Sequence, residues 1–175
     1  MRQTILALVA LLAIVQVVLA QQVLENGNYW IYYGNYQVPK THRFVTAEPD
    51  ARAGRVRTFP RNDKSKLQVW RLKNHKNGQV TLESKGARGK YLSPGRSGAL
   101  PGAYMGVTTT AQKWNVAKVR GGPFTAFELT YPKPVFNKTL VVSMDSEDKE
   151  EPYYVNLANE GVDGARMAWK FARVL

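Results

Sequence analysis

The chain reads as an all-β protein built from three copies of one unit, and three observations predict it. Gln68-Val69-Trp70-Arg71-Leu72, Gln112-Lys113-Trp114-Asn115-Val116 and Met167-Ala168-Trp169-Lys170-Phe171 each contain Trp-x-apolar, with the tryptophans 44 and 55 residues apart. A second series, Phe44, Leu92 and Leu140, advances by 48 residues each time. Periods of that length mark a supersecondary unit that cannot bury its apolar face alone and stacks on its copies. Finally, runs rich in Tyr, Val, Phe, Trp and Thr are broken by Gly, Pro, Asn and Asp about every 8 to 15 residues, and no helical apolar stripe continues past residue 20.

Residues 1–20 are expected to lie outside the fold. Arg2 precedes an apolar run from Ile5 to Val18, interrupted only by Gln16, and Val18-Leu19-Ala20 precedes Gln21. This is the layout of a secretory signal peptide cut after Ala20. The run is shorter than the ~20 residues of a spanning helix, so no membrane anchor is expected. Residues 21–175 then form a single domain, a secreted, extracellular protein. A chain of ~150 residues buries about 68–70% of its unfolded surface, so packing alone can hold it. There is no cysteine to build a thiolate metal or redox site, and His42 and His75 are the only histidines, so no metal or cofactor is expected.

Period-two alternation places four strands in each unit. The first unit has Asn28–Tyr33, His42–Ala47, Gly54–Phe59 and Leu67–Lys73. In the second they are Gln79–Ser84, Lys90–Ser93, Tyr104–Thr109 and Gln112–Lys118. The third has Ala126–Tyr131, Thr139–Ser143, Tyr153–Ala158 and Ala168–Val174. Tyr29/Ile31, Val80/Leu82 and Phe127/Leu129 share a face in the first strands; Trp70/Leu72, Trp114/Val116 and Trp169/Phe171 do so in the last. The three tryptophans are read as core anchors, with Gln68 and Gln112 bonded to backbone.

The formal charge is +12, and it is concentrated. Residues 51–100 carry thirteen Lys and Arg against Asp63 and Glu83. Such asymmetry suits an anionic partner, for which Lys64, Lys66 and Arg88 are the candidate residues; a solvated basic face is the bland alternative. No nucleic-acid module is recognisable. Asp145, Glu147, Asp148, Glu150 and Glu151 form an acidic loop without the spacing or central Gly of a calcium loop, and are read as a solvated turn. Asn137-Lys138-Thr139 is an N-glycosylation sequon. No Ser/His/Asp or Cys/His set, matched carboxylate pair or Gly-rich phosphate loop is present, so no catalysis is expected.

Three four-stranded units, each with this Trp motif in its last strand, resemble a β-trefoil: hairpins closed into a short barrel with a triangular cap. Two trefoil families are similar to the chain. The ricin-B type lectins carry Gln-x-Trp, matched by Gln68-Val69-Trp70 and Gln112-Lys113-Trp114 but not by Met167-Ala168-Trp169. That resemblance implies an Asp early in a unit, an aromatic platform and a polar amide further on. The first strands run instead into Gly34-Asn35, Lys85-Gly86 and Pro132-Lys133, with no Asp.

The fungal trefoil inhibitors of serine proteases, the cospin-like proteins of mushrooms, are also similar. The likeness lies in Asn28-Tyr29-Trp30-Ile31, Gly54-Arg55-Val56-Arg57-Thr58-Phe59-Pro60, Asn77-Gly78-Gln79-Val80-Thr81-Leu82 and Pro152-Tyr153-Tyr154-Val155-Asn156-Leu157. That resemblance implies a monomer presenting a reactive loop to a serine protease. A trypsin-like pocket takes Arg or Lys. Arg52 and Ala53, between the second and third strands, and Arg166, between the last two, are the candidates, with Arg96 a third option. Inhibition is the leading expectation; a lectin or a binder of anionic glycans is the alternative.

Overall fold

The computed structural model describes residues 24–34, 41–50, 54–119, 125–144, 152–161 and 168–175. The leader and the acidic loop at 145–151 lie outside these residues. Four strands form in each unit, as the alternation predicts. They are β1 (Gly27–Tyr33), β2 (Arg43–Glu48), β3 (Arg55–Phe59) and β4 (Val69–Asn74), then β5 (Val80–Ser84), β6 (Tyr91–Pro94), β7 (Met105–Thr108) and β8 (Asn115–Val119). The third unit contributes β9 (Ala126–Thr130), β10 (Leu140–Met144), β11 (Val155–Asn159) and β12 (Lys170–Arg173).

The first and last strands of the units make the barrel. Antiparallel ladders join β1 to β4, β4 to β5, β8 to β9 and β12 to β1. The remaining two seams are bridges, Val80 to Trp114 and Phe127 to Trp169, so β1, β4, β5, β8, β9 and β12 close into a ring. A second closed path, β1-β2-β3-β7-β6-β5-β4, runs through two of the cap hairpins. The middle strands form the hairpins β2–β3, β6–β7 and β10–β11. These three meet one another through Arg55↔Gly106, Arg57↔Tyr154 and Tyr104↔Asn156, giving a triangular cap.

The tryptophans explain why three weak units make one stable body. Trp70, Trp114 and Trp169 are each 0% exposed. Trp70 stands opposite Tyr29, Trp114 opposite Val80 and Trp169 opposite Phe127, so each occupies the same seam of its unit. Each indole N–H donates to a second-strand carbonyl: Trp70 to Val45 at 2.8 Å, Trp114 to Leu92 at 3.1 Å and Trp169 to Val142 at 2.8 Å. Each bond contributes about 1 kcal/mol net and satisfies the polar atom of a wholly buried ring. These bonds also correct the even 48-residue series. The equivalent positions are Val45, Leu92 and Val142, and only Leu92 belongs to both sets. Phe44 and Leu140 are buried, yet displaced from equivalence by one and two residues, because the units differ in loop length.

Candidate functional site

The first unit holds an open pocket of about 690 Å³, lined by the end of β2, the end of β3 and the connection Pro60–Ser65. Its shape follows from Gln68, which sits on the 3-10 turn Lys66–Gln68 and is 2% exposed. The Gln68 Oε1 accepts the Asn62 backbone N–H at 2.8 Å. Its Nε2 donates to the Pro60 carbonyl at 2.9 Å and to the Thr46 hydroxyl at 3.2 Å. One amide thereby fastens the connecting loop to β2. Arg61 pins the loop from outside: it pairs with Asp63 at 2.5 Å, and its guanidinium lies 4.4 Å from the Trp30 ring centre.

Three groups converge on this pocket. Glu48 supplies a carboxylate, Phe59 a half-buried ring and Asn62 a primary amide. Arg57 grips both Glu48 oxygens, Nε to Oε2 at 2.5 Å and Nη2 to Oε1 at 2.6 Å. The pairing, chiefly its hydrogen bonds, pushes the Arg57 pKa up. A carboxylate offers about four lone-pair sites, and the fork uses two, so Glu48 still accepts hydroxyl donors from a fixed position. Arg57 also lies 5.3 Å from the Phe59 ring centre. The Asn62 Oδ1 accepts the Lys64 N–H at 3.1 Å, which orients the amide and leaves its NH₂ to donate.

This constellation was not visible by scanning the first-strand exits. The carboxylate is a Glu rather than an Asp, and it stands at the end of β2. Folding brings Glu48, Phe59 and Asn62 together only because Gln68 draws the loop back. The second unit does not repeat the device. Gln112 is only half-buried, and its Nε2 donates to the carbonyl of its neighbour Lys113 at 2.6 Å. Both glutamines bond backbone as expected, but only Gln68 bonds across a loop.

The other expected site residues fare differently. Arg52, Ala53 and Arg166 lie outside the described residues. The strands flanking them are where the alternation puts them: β2 ends at Glu48 and β3 begins at Arg55, while β11 ends at Asn159 and β12 begins at Lys170. Arg96 is exposed in the turn after β6.

Lys64, Lys66 and Arg88 are all exposed. Lys64 lines the pocket, and Lys66 opens the 3-10 turn. Arg88 sits on the β5–β6 connection, which packs closely on that turn. A Cβ built on Gly86 would lie 2.8 Å from the Leu67 nitrogen and 2.9 Å from the Lys66 carbonyl carbon. The Lys66 and Arg88 segments are therefore neighbours.

Asn137 is exposed at the tip of a two-residue turn closed by Val135 and Lys138, with Phe136 at φ 51° and Asn137 at φ 58°. Positive φ at both central positions is the type I′ pattern, which suits Asn and strains Phe. No cluster of three or more His, Asp or Glu with metal-binding proximity occurs among the described residues. No helix among them is long and apolar enough to cross a membrane.

No protein-family model matches the sequence, and no curated protein matches it at a significant level. Solved structures do. The agglutinin of Rhizoctonia solani superposes with a TM-score of 0.67 at 18% identity, covering 86% of this chain and 97% of its own. A ricin B-like lectin of Macrolepiota procera, solved with lactose, gives 0.66 at 18% identity over 87% of this chain and 99% of its own. A designed threefold-symmetric protein, ThreeFoil, gives 0.60 at 15% identity over 85% of this chain and 100% of its own. At such identities the likeness speaks to architecture, and with the barrel, the cap and the threefold indole bonds it makes the fold of this chain a β-trefoil.

Proposed function

We propose that this chain is a carbohydrate-binding protein, and that the first-unit pocket takes a sugar residue. The reading rests on one constellation: Glu48, Phe59 and Asn62 in a single open pocket, held there by Gln68. A pyranose presents an apolar face and a rim of hydroxyls. The Phe59 ring suits the face, the Glu48 oxygens accept hydroxyl protons, and the Asn62 amide donates to ring or hydroxyl oxygens. Fixing all three before binding lowers the ordering cost, which matters for a small, strongly hydrated ligand. Structural likeness to an agglutinin and to a lactose-bound lectin supports the reading. The protein acts without catalysis and, given its apolar leader, outside the cell. Lys64, beside the pocket, with Lys66 and Arg88 nearby, favours glycans that also carry negative charge.

A glycan array followed by calorimetry tests this. Binding to at least one glycan is expected, with loss of roughly tenfold or more on Phe59→Ala, since stacking and burial of an aromatic face carry ~1–3 kcal/mol. The absence of any glycan ligand, or binding indifferent to Phe59→Ala and Asn62→Ala, overturns the reading. Protease inhibition, the leading expectation from sequence, is checked with a trypsin-like enzyme and Arg52→Glu.

A further inference from the structure

The outer face of the triangular cap has a composition that a solvated end of a barrel does not need. Side chains on a strand alternate in direction, and residues opposite one another across a bridge share a face. From β3 this face takes Arg55 and Arg57, from β7 and its bridge Tyr104 and Gly106, and from the start of β11 Tyr154 and Asn156. The intervening Val56, Thr58, Met105, Val107, Val155 and Leu157 are all buried beneath it. Six outward positions from three hairpins, drawn from stretches about fifty residues apart, thus meet at one spot.

These side chains are already organised. Tyr104 is 49% exposed and packs on Tyr154 with ring centres 4.8 Å apart. The Arg55 Nη1 donates to the Tyr154 hydroxyl at 3.1 Å, and its guanidinium lies 5.6 Å from the same ring centre. Arg55 is exposed and makes no ion pair among the described residues, whereas Arg57 beside it is neutralised by Glu48. The Nε and Nη2 edge of Arg55 remains available, the planar fork that matches a carboxylate. Gly106, opposite Arg55, adds no side chain between Arg55 and Tyr104. The Asn156 Oδ1, opposite Tyr104, is buried and has no hydrogen-bond partner among the described residues.

Arg57 joins this face to the first-unit pocket, because it stands over both Phe59 at 5.3 Å and Tyr154 at 5.7 Å.

We infer that the cap face is a second subsite, continuous with the first-unit pocket, that takes a carboxylate-bearing sugar residue of the same oligosaccharide, with Arg55 on the carboxylate and Tyr104 against the ring. This rests on the glycan-binding reading for the neighbouring pocket, but Arg55 and Tyr104, which it invokes, do not line that pocket. A hexuronate supplies an anion for a guanidinium that makes no ion pair among the described residues, although Glu48 stands opposite it on β2, beside an apolar ring face for the exposed tyrosine. A neutral sugar makes no ion pair with Arg55 and gains only the stacking.

The test uses two probes with the same sugar backbone, trigalacturonate and its fully methyl-esterified form, in which each carboxylate is replaced by a neutral ester, measured by calorimetry with the mature chain at low and high salt. Wild type is expected to bind trigalacturonate roughly tenfold more tightly than the ester, since only the carboxylate makes charge-assisted hydrogen bonds to the guanidinium. That preference should shrink with salt. Arg55→Gln should abolish the preference, and Tyr104→Ala should weaken trigalacturonate binding. Both side chains are exposed, so unchanged circular dichroism is expected in the variants.

Equal affinity of wild type for the two probes, or an undiminished preference in Arg55→Gln, overturns the inference. Phe59→Ala separates it from the pocket reading. If that variant loses ester binding while no charge preference exists, the pocket stands and the cap subsite fails. If the charge preference vanishes with Arg55→Gln but Phe59→Ala changes nothing, the cap site stands and the pocket fails. Failure of wild type to bind either probe overturns the inference.

Discussion

Gln68→Met is the sharpest probe of how the pocket is built. Methionine matches glutamine in length and helix-free flexibility but removes every hydrogen bond of the amide. Three bonds are lost: from Asn62 N–H, to the Pro60 carbonyl and to the Thr46 hydroxyl. A neutral hydrogen bond contributes about 0.5–1.5 kcal/mol net. Pro60 and Asn62 are exposed, so water can take over once the loop is released, which favours the lower part of the sum. Thr46 is 8% exposed and cannot be rehydrated so easily. The expected destabilisation is therefore ~2–3 kcal/mol, read as a lower urea midpoint at constant slope.

The matched control is Gln112→Met, which removes one bond from a half-buried side chain and should stay within ~0.5 kcal/mol. Glycan affinity should fall with Gln68→Met and hold with Gln112→Met. Equal losses of stability for the two variants, or a pocket that binds as before without Gln68, would refute the stapled-loop reasoning.

Other outcomes follow from the same geometry. Trp114→Ala should cost ~3–5 kcal/mol in chemical denaturation, and Trp114→Phe less, since the ring is fully buried and bonded to Leu92. Gly86→Ala should cost ~1–3 kcal/mol by thermal melt, because the added carbon meets the Leu67 and Lys66 backbone. His75 is held below the usual histidine range by burial, then by Lys113 and Lys73. The unfolded chain thus binds that proton more readily, and stability should fall as pH drops through about 6.5, the unfolded value. An NMR titration of His75 at or above that value contradicts this.

The fold was legible because its period survives in large residues. Three tryptophans cannot move without losing their carbonyl partners, so Trp-x-apolar persists while the rest of each unit drifts. The Phe44, Leu92, Leu140 series pointed to the right strands but missed two of the three equivalent residues, since loop lengths absorb one- and two-residue offsets. The pocket was hidden for a different reason. Glu48, Phe59 and Asn62 are ordinary residues in sequence, and only the long reach of Gln68 collects them. The cap face was equally opaque: Arg55, Tyr104 and Tyr154 belong to three hairpins, and no local pattern reveals which outward positions share the axis. Basic residues were legible as an excess, but their grouping needed the close approach at Gly86.

Titration of the ¹⁵N-labelled mature protein with a glycan from the array, followed by amide chemical shifts, tests the central claim most directly. Sugar in the first-unit pocket should move the amides of Ala47, Glu48, Arg61, Asn62 and Asp63 together, saturating with the calorimetric affinity, and leave the second-unit amides of Thr108, Thr110 and Gln112 in place. Shifts confined to the second unit, or none in the loop that Gln68 holds, would contradict it.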